Sequence, residues 1–251
     1  MFDKIAKGRW WDFPMGLVQG CTPVSDACDH CWLLGMRHRF KQGFASVQFN
    51  PDPLKKLKRK KPAAYAVWSD LYHTSVSKEN LCWTMDRISI FPHHVFFALT
   101  KRPERAAEFH KNFPIPDNLW IGTTIENQKW ADIRLPWLLK CNTPNRFISV
   151  EPMLAPISIT NYLEDQNVKH KNGRKDLSFK REGSISLCIC GCESGPGRRR
   201  TNYNWVRDLR DQCVKSKIPF FLKQLEIMGT VVKAPELDFE QYLQLPKRVF
   251  Q

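Results

Sequence analysis

The feature that most constrains the fold of this chain is a repeated alternation of short apolar runs with amphipathic segments. Each run ends in a polar tip and is followed by a helical pattern; the runs cover residues 63–70, 94–104, 118–127, 145–153, 186–196 and 218–226. Residues 16–20, before the first cysteine, predict a further strand. Strands that alternate with helices form parallel βαβ units. The sequence therefore predicts an α/β fold with about six to seven parallel strands in a full or partial barrel.

Two of the segments between these runs predict amphipathic helices. In one of them, apolar residues line one face and Asn204 is the expected N-cap; the apolar residues are Trp205, Val206, Leu209 and Cys213. The other has a similar stripe, with Pro136 expected to end or kink the helix; its members are Trp130, Ile133, Trp137 and Leu138. Both stripes predict packing against the sheet.

Length and composition predict one cytoplasmic domain. A chain of 251 residues suits a single α/β barrel, with a basic insertion at about 164–183 and a C-terminal extension at about 227–251. The sequence has no run of eighteen apolar residues and no signal-peptide core, so we expect no membrane association. Nine cysteines without a secretion signal favour reduced thiols or metal ligation over disulfides.

The chain is strongly basic, and its positive charge is clustered. The formal net charge is +14, and Lys and Arg concentrate at residues 55–61, 169–181 and 198–200. Clustered cations are typical of proteins that bind polyanions. Any one of these runs is better explained as a solvated loop, but together they favour nucleic acid, or at least a phosphorylated substrate, as the partner.

Polar residues recur directly after the predicted strands. They are Asp70, Lys101, Arg102, Glu126, Glu151, Glu193, Lys223 and Gln224. In βα barrels the carboxyl ends of the strands form the active-site face. A single such residue often only caps the next helix, but the repetition favours a shared site.

Three cysteines are spaced as Cys21-x6-Cys28-x2-Cys31. A four-iron cluster held by three thiolates leaves one iron free for another ligand. A structural zinc site needs a fourth ligand, for which His30 and His38 are candidates. A third interpretation treats the cysteines as unliganded core residues. Cys188, Cys190 and Cys192 alternate along one strand, and with Cys82, Cys141 and Cys213 they are expected to be small buried residues.

Seven segments resemble, in order and spacing, a radical-SAM-like phage and bacterial family catalogued as a domain of unknown function. They are GCTPVSDACDHCW, WSDLYH, ALTKRPERA, NLWIGTTIEN, RFISVEPML, CGCESGP and WVRDLRDQCVKSKIPFFLKQ. The resemblance implies a partial TIM-type barrel in which Cys21, Cys28 and Cys31 hold a 4Fe–4S cluster. S-adenosylmethionine would bind the open iron, and its reductive cleavage would give a 5′-deoxyadenosyl radical that abstracts a hydrogen atom.

The resemblance also implies roles for the strand-end residues. The residues implied to bind S-adenosylmethionine are Ser69, Asp70, Gly122, Thr124, Glu126, Ser149 and Glu151. Lys101, Arg102 and Gln224 are the expected substrate-binding residues, since cations suit a carboxylate or phosphate. Cys192, Glu193 and Lys223 are the expected catalytic residues.

The resemblance further implies partners. Phage relatives modify DNA, so an amino-acid-modified thymidine in phage DNA is the expected substrate, and a flavodoxin or ferredoxin is the expected electron donor. The enzyme is then expected to work in the host cytoplasm, where thiols stay reduced. Two alternatives stay open: a zinc-containing nucleic-acid-binding module, and a barrel hydrolase or nuclease whose carboxylates bind magnesium.

Overall fold

The computed structural model describes residues 2–33, 46–163, 185–195 and 197–249. The basic run at 169–181, the insertion at about 164–183 and His38 lie outside the described residues. Among the described helices, none has the length and apolar character needed to cross a bilayer.

The central element is a curled half-barrel sheet of eight strands, of which seven run parallel. In spatial order they are β1 (Phe13–Met15), β4 (Ala63–Val67), β5 (His94–Thr100), β6 (Leu119–Thr124), β7 (Arg146–Val150), β8 (Leu187–Gly191), β9 (Phe220–Ile227) and β10 (Thr230–Lys233). Only β10 is antiparallel to its neighbour. Two small antiparallel pairs complete the strands: β2 (Val18–Gln19) with β3 (Gln48–Phe49), and β11 (Glu236–Leu237) with β12 (Glu240–Gln241).

Apart from the first, which precedes β1, the described helices connect successive strands. They are α1 (Phe2–Ile5), α2 (Asp52–Lys55), α3 (Lys78–Ser89), α4 (Pro103–His110), α5 (Gln128–Leu138), α6 (Thr160–Leu163) and α7 (Tyr203–Lys215). Short 3₁₀ turns form at Asp26–Cys28 and Lys247–Val249. The side chains of Ser77 and Asn127 cap α3 and α5 by accepting hydrogen bonds from backbone N–H groups of the first turn.

The sheet buries apolar side chains on both faces. One face packs against α3, α4, α5 and α7 and holds the larger core cluster. The other face carries a mainly aromatic cluster in which Phe97, Trp120 and Phe147 pack with Trp10. Strands buried on both faces are typical of parallel sheets, which explains their nearly continuous apolar runs.

The structure confirms the six predicted later strands and a mostly parallel α/β half-barrel. The prediction of a first strand at 16–20 is confirmed only for Val18–Gln19, and its expected place in the large sheet was wrong. The first strand of the sheet is β1, and Val18–Gln19 pairs instead with β3 in a separate small sheet. The reason is a tight turn in which the Leu17 N–H donates to the Met15 carbonyl (3.0 Å) and directs the chain away from β4.

Two helix details also differ from the sequence prediction. The cap of α7 is Asn202, whose side chain accepts from the Asn204 N–H, so the helix begins earlier than expected. In α5 the buried face is formed by Ala131, Arg134, Leu135 and Leu138, whereas Ile133 is exposed. The apolar stripe predicted the wrong face because a charged residue, Arg134, is buried in this helix.

The C-terminal extension packs back onto the sheet. The Leu222 N–H donates to the Tyr242 carbonyl (2.7 Å), and Phe221 forms a bridge with Leu243. Residues after β9 therefore cover the edge of the half-barrel.

Candidate active site

The loop that carries the three cysteines follows β2 and turns through the 3₁₀ segment Asp26–Cys28. Cys28 is buried, Cys21 and Cys31 are half-buried, and all three are free thiols. The Val24 N–H points at Cys28 Sγ across 3.5 Å. We call residues 20–31 the cysteine loop.

An ion pair between Asp70 and Arg102 holds the start of the cysteine loop. Asp70 follows β4 and Arg102 follows β5, and their side chains meet at 2.7 Å in a buried position. Arg102 Nη2 then donates to the carbonyl (3.1 Å) and hydroxyl (2.8 Å) of Thr22. The pair therefore fixes the residue directly after Cys21.

Both oxygens of Asp70 are occupied by these neighbours. Oδ1 accepts from Thr100 Oγ1 (2.6 Å) and the Tyr72 N–H (3.0 Å), and Oδ2 accepts from Arg102. Burial is the largest cause of the raised pKa of the Cys21 thiol, followed by the Asp70 carboxylate, while Arg102 acts in the opposite direction. Cys21 and Asp70 thus lie close enough to interact electrostatically.

His73 and Ser69 provide two further contacts to the loop. His73 Nδ1 accepts from the Ser75 N–H (3.1 Å), so the neutral ring carries its proton on Nε2, which donates to Thr22 Oγ1 (2.9 Å). The Ser69 hydroxyl donates to the Gly20 carbonyl. Ser69 has a φ of 65°, a left-handed conformation at the end of β4 that aims its side chain at the loop.

A second ion pair holds the far part of the cysteine loop. Glu193, after β8, binds the guanidinium of Arg199 and also accepts from the Arg199 N–H (2.7 Å). Arg199 Nη2 donates to the Asp26 carbonyl (2.8 Å), and Nη1 lies 3.5 Å from Asp29 Oδ2. The loop is consequently held over the carboxyl ends of the strands from two sides, near β4–β5 and near β8.

A third buried ion pair joins the end of β6 to α5. Glu126 Oε2 lies 2.8 Å from Arg134 Nη1, which also donates to the Thr124 carbonyl (2.8 Å). Both side chains are almost fully buried, and Glu126 Oε1 has no hydrogen-bond partner among the described residues. Burial lowers the pKa of Arg134, an effect that Glu126 opposes. Cys28 is near enough to contribute to that shift in the same direction as Glu126.

Gly122 lies on the aromatic face of the sheet. A Cβ at this position would run into the ring of Phe147. Close packing of Phe147 therefore accounts for this glycine, which the resemblance had associated with S-adenosylmethionine.

Glu151 and Lys223 form an ion pair on this same face. Lys223 Nζ lies 2.8 Å from Glu151 Oε1, and the Ser149 hydroxyl donates to Glu151 Oε2 (3.0 Å). About a third of the Lys223 side chain is exposed. Gly191 lies beside the pair, since a Cβ there would lie 3.1 Å from Glu151 Oε1. The prediction that Lys223 and Gln224 directly follow the strand was wrong, because β9 continues to Ile227. The carboxylate and amine of this pair are nevertheless partly open to a bound molecule.

Gln224 and Cys192 belong to a neighbouring network. Gln224 Nε2 donates to the Cys192 carbonyl (2.6 Å), and its Oε1 accepts from Lys233 Nζ. Burial raises the pKa of the Cys192 thiol to about 11, so this thiol is protonated at neutral pH. Cys188 and Cys190 are fully buried in the core beside Cys213, as expected of small apolar residues.

The basic runs occupy different surroundings. Arg198 and Arg200 lie 3.8 and 3.9 Å from Glu226, and Arg199 is engaged by Glu193 and Asp29, so this run is largely matched by carboxylates. The 55–61 run precedes β4 and lies at the amino ends of the strands, the edge opposite to the cysteine loop. Lys101 is half-buried near Cys21, where its charge partly opposes the burial that raises the pKa of that thiol.

Sequence reasoning missed four residues of this site: Thr22, His73, Arg134 and Arg199. His73 lies within the WSDLYH segment, and Thr22 directly follows the first cysteine. Both residues could therefore have been found from their proximity to a motif. Arg199 was noticed only as part of the basic run at 198–200, and Arg134 had no signal, because only the fold shows which carboxylate each one meets.

The described residues contain no group of three or more His, Cys, Asp or Glu side chains that is arranged to hold a metal ion. The cysteine side chains thus share one loop without converging on a point. As donors they still fit an iron–sulfur cluster, because three unpaired thiols lie within eleven residues on an anchored loop.

The chain belongs to DUF5131, a family described as proteins of unknown function, whose model matches residues 6–238. No curated protein and no solved structure gives a significant match. The expected resemblance to an uncharacterised family is therefore confirmed, while its radical-SAM character stays a prediction.

Proposed function

We propose that this protein is a radical SAM enzyme that modifies a substrate attached to nucleic acid, such as an amino-acid-modified thymidine in DNA. The observation that carries the proposal is the position of the cysteine loop. Two ion pairs, Asp70–Arg102 and Glu193–Arg199, hold it across the carboxyl ends of parallel strands, where βα barrels carry their active sites.

In this proposal Cys21, Cys28 and Cys31 hold the 4Fe–4S cluster. When bound, the cluster and S-adenosylmethionine supply a radical able to remove a hydrogen atom from an unreactive carbon. Arg102 and Arg199 act as positioning residues, because they fix the loop through Thr22, Asp26 and Asp29.

The remaining strand-end groups divide into binding and structural roles. Glu151 suits the cationic amine of S-adenosylmethionine, and Lys223 and Lys101 suit a carboxylate or phosphate. Asp70 and Glu126 are already engaged by arginines, so their roles are to position the loop and the end of β6.

The pairing of the strand-end carboxylates with cations also argues against a magnesium-dependent hydrolase. Asp70, Glu126, Glu151 and Glu193 each contact an arginine or lysine within the described structure. A magnesium site needs carboxylate oxygens directed at a common cation, and here they are directed at separate side chains.

The test is anaerobic purification and reconstitution with iron and sulfide, followed by metal analysis and a S-adenosylmethionine cleavage assay under reductant. We expect about four irons per chain and release of 5′-deoxyadenosine. Cys28→Ala should lose both, whereas the matched control Cys82→Ala, a half-buried cysteine of α3, should keep both. Colourless protein that holds zinc, or equal iron in the two variants, would contradict the proposal.

The substrate is tested separately with DNA that contains modified thymidines. Nucleosides from the digested product should show a new mass or, for an isomerisation, an unchanged mass with a new chromatographic retention. DNA binding should weaken steeply with rising salt if lysines and arginines contact phosphates. Binding that does not depend on salt would argue against a nucleic-acid substrate and would leave the cluster chemistry untouched.

A further inference from the structure

A cavity of about 790 Å³ opens at the amino ends of the strands. Its floor is formed by residues at the starts of successive strands: Ala63 of β4, Val95 of β5 and Trp120 of β6, with Asn145 just before β7. All these strands are parallel, so the cavity lies at the edge of the sheet opposite to the cysteine loop. Its volume is within the ordinary range for small-molecule sites.

The rim of this cavity carries cations that lack carboxylate partners. Arg59 and Lys61 line the rim, and neither is within ion-pair distance of an Asp or Glu in the described part of the chain. The Arg59 guanidinium lies over the ring of Phe13, 5.0 Å from its centroid. Lys4, by contrast, is matched by Asp12 at 3.3 Å. Asp117 also lines the cavity, so the lining is not uniformly positive, but the guanidinium of Arg59 and the ammonium of Lys61 are available to bind an anion.

The inner wall carries a buried acceptor that lacks a donor. Asn145 is only 5% exposed, and its Nδ2 donates to the Asp117 carbonyl (2.6 Å), which fixes the orientation of the amide. Its Oδ1 is buried without a hydrogen-bond partner among the described residues. Asn118, also in the wall, directs its Nδ2 to three backbone carbonyls, so its oxygen is its free acceptor. A buried acceptor left unpaired is costly, and a ligand that donates to it removes that cost.

We propose that this cavity binds a nucleotide. The phosphate lies at the rim on Arg59 and Lys61, and an N–H or O–H of the base or sugar donates to Asn145 Oδ1. Val95, Trp120 and Val249 supply apolar wall for the ring. The combination of rim cations, a buried acceptor and apolar wall matches a phosphate ester with donors more closely than a simple anion, which would leave Asn145 unsatisfied.

The nucleotide is either a free monophosphate or the phosphorylated end of a DNA strand, since both present the same chemistry. The proposal does not rest on the proposed radical chemistry, because the cavity and the cysteine loop share no residue. Its test accordingly needs no iron and no reductant.

The experiment is titration calorimetry on the full-length protein. The probes are the four nucleoside 5′-monophosphates, the matching nucleosides and inorganic phosphate. We expect at least one monophosphate to bind about tenfold or more tightly than its nucleoside and than phosphate alone. Arg59→Ala/Lys61→Ala should weaken that binding by about tenfold or more. The matched control Lys56→Ala/Lys58→Ala, from the same exposed run but outside the cavity, should bind as the wild type does.

A second variant tests the inner wall. Asn145→Leu removes the acceptor, so the affinity for the nucleotide should fall by about tenfold, the loss expected for one hydrogen bond to a buried group. A 5′-phosphorylated oligonucleotide that displaces the nucleotide would identify a strand end as the source, whereas no displacement would identify free nucleotide; both results support the site. Absence of monophosphate binding, equal losses in the two double variants, or equal affinity for phosphate and nucleotide would overturn the proposal.

Discussion

The two ends of the half-barrel use positive charge in opposite ways. At the carboxyl ends of the strands, arginines are matched by carboxylates in buried pairs, as in Asp70–Arg102 and Glu126–Arg134. At the amino ends, Arg59 and Lys61 are exposed and have no such partners in the described structure. The formal charge of +14 is therefore not one uniform surface property. Charges near the cysteine loop maintain structure, and charges at the opposite end are available to an anion.

Because the paired arginines are buried and Arg59 and Lys61 are exposed, removing them should have different effects on stability. Breaking a buried ion pair leaves an uncompensated charge in a poorly solvated position, which is strongly destabilising. An exposed cation loses little when it is removed, because water already solvates it. Substitution of a buried, paired arginine such as Arg102 should accordingly reduce stability, whereas substitution of Arg59 or Lys61 should mainly affect ligand binding.

The largest expected effect is that of Arg102→Ala. The substitution leaves Asp70 buried without its cation, which should reduce the free energy of unfolding by about 3–5 kcal/mol. Urea denaturation measures the change. The control is Lys111→Ala, which breaks an exposed pair with Glu108 and should cost no more than about 1 kcal/mol. Equal losses of stability in the two variants would contradict the distinction between charges that maintain structure and charges that are available to an anion.

The second comparison is between adjacent arginines at the carboxyl end. Arg199→Ala removes the partner of buried Glu193 and should cost about 1–3 kcal/mol. Arg200→Ala removes a side chain that is 92% exposed and 3.9 Å from Glu226, and should change stability by less than about 0.5 kcal/mol. Only Arg199→Ala should also reduce iron retention after reconstitution. If Arg200→Ala reduced stability more than Arg199→Ala does, the assignment of Arg199 as the second anchor of the cysteine loop would be wrong.

The smallest expected effect is a pH dependence at the amino end. Burial lowers the pKa of His94, whose Nε2 donates to the Arg59 carbonyl (3.0 Å). The unfolded chain takes up a proton near pH 6.5, whereas the folded protein takes it up only at lower pH. His94 therefore contributes stability that is present above about pH 6.5 and is lost as the pH falls through the folded pKa.

Urea midpoints measured between pH 7 and pH 5 test this dependence. The wild type should lose stability on acidification, and His94→Phe should lose less. A residual slope is expected, because burial also lowers the pKa of His73 and His110. The comparison variant His93→Gln removes a neighbouring charge that adds to the effect of burial on the pKa of His94, so it should reduce the slope by less than His94→Phe does. An unchanged slope in His94→Phe would show that His94 is not a source of the pH dependence.

Much of the fold was predictable because parallel strands buried on both faces produce long apolar runs. The ends of β4 through β8 were predictable because polar residues follow the apolar runs, whereas β9 continues through Lys223 and Gln224 to Ile227. The sequence also located the cysteine loop, because three cysteines within eleven residues are easily recognised as a motif. What sequence patterns missed was the partner of each charge: the Arg198–Arg200 run predicted polyanion binding, yet Glu226, Glu193 and Asp29 match it.

The amino-acid sequence by itself determined the βα order, the strand-end polar residues and the cysteine spacing, because these depend on local periodicity and on residue type. The tertiary structure decided which charges neutralise each other, since Asp70 and Arg102 are 32 residues apart and Asp29 and Arg199 are 170 apart. It also decided that Arg134 is buried and that a cavity with unmatched cations lies opposite to the cysteine loop. Electrostatic energy depends on distance and solvation in three dimensions, and neither can be deduced from the local pattern of residues.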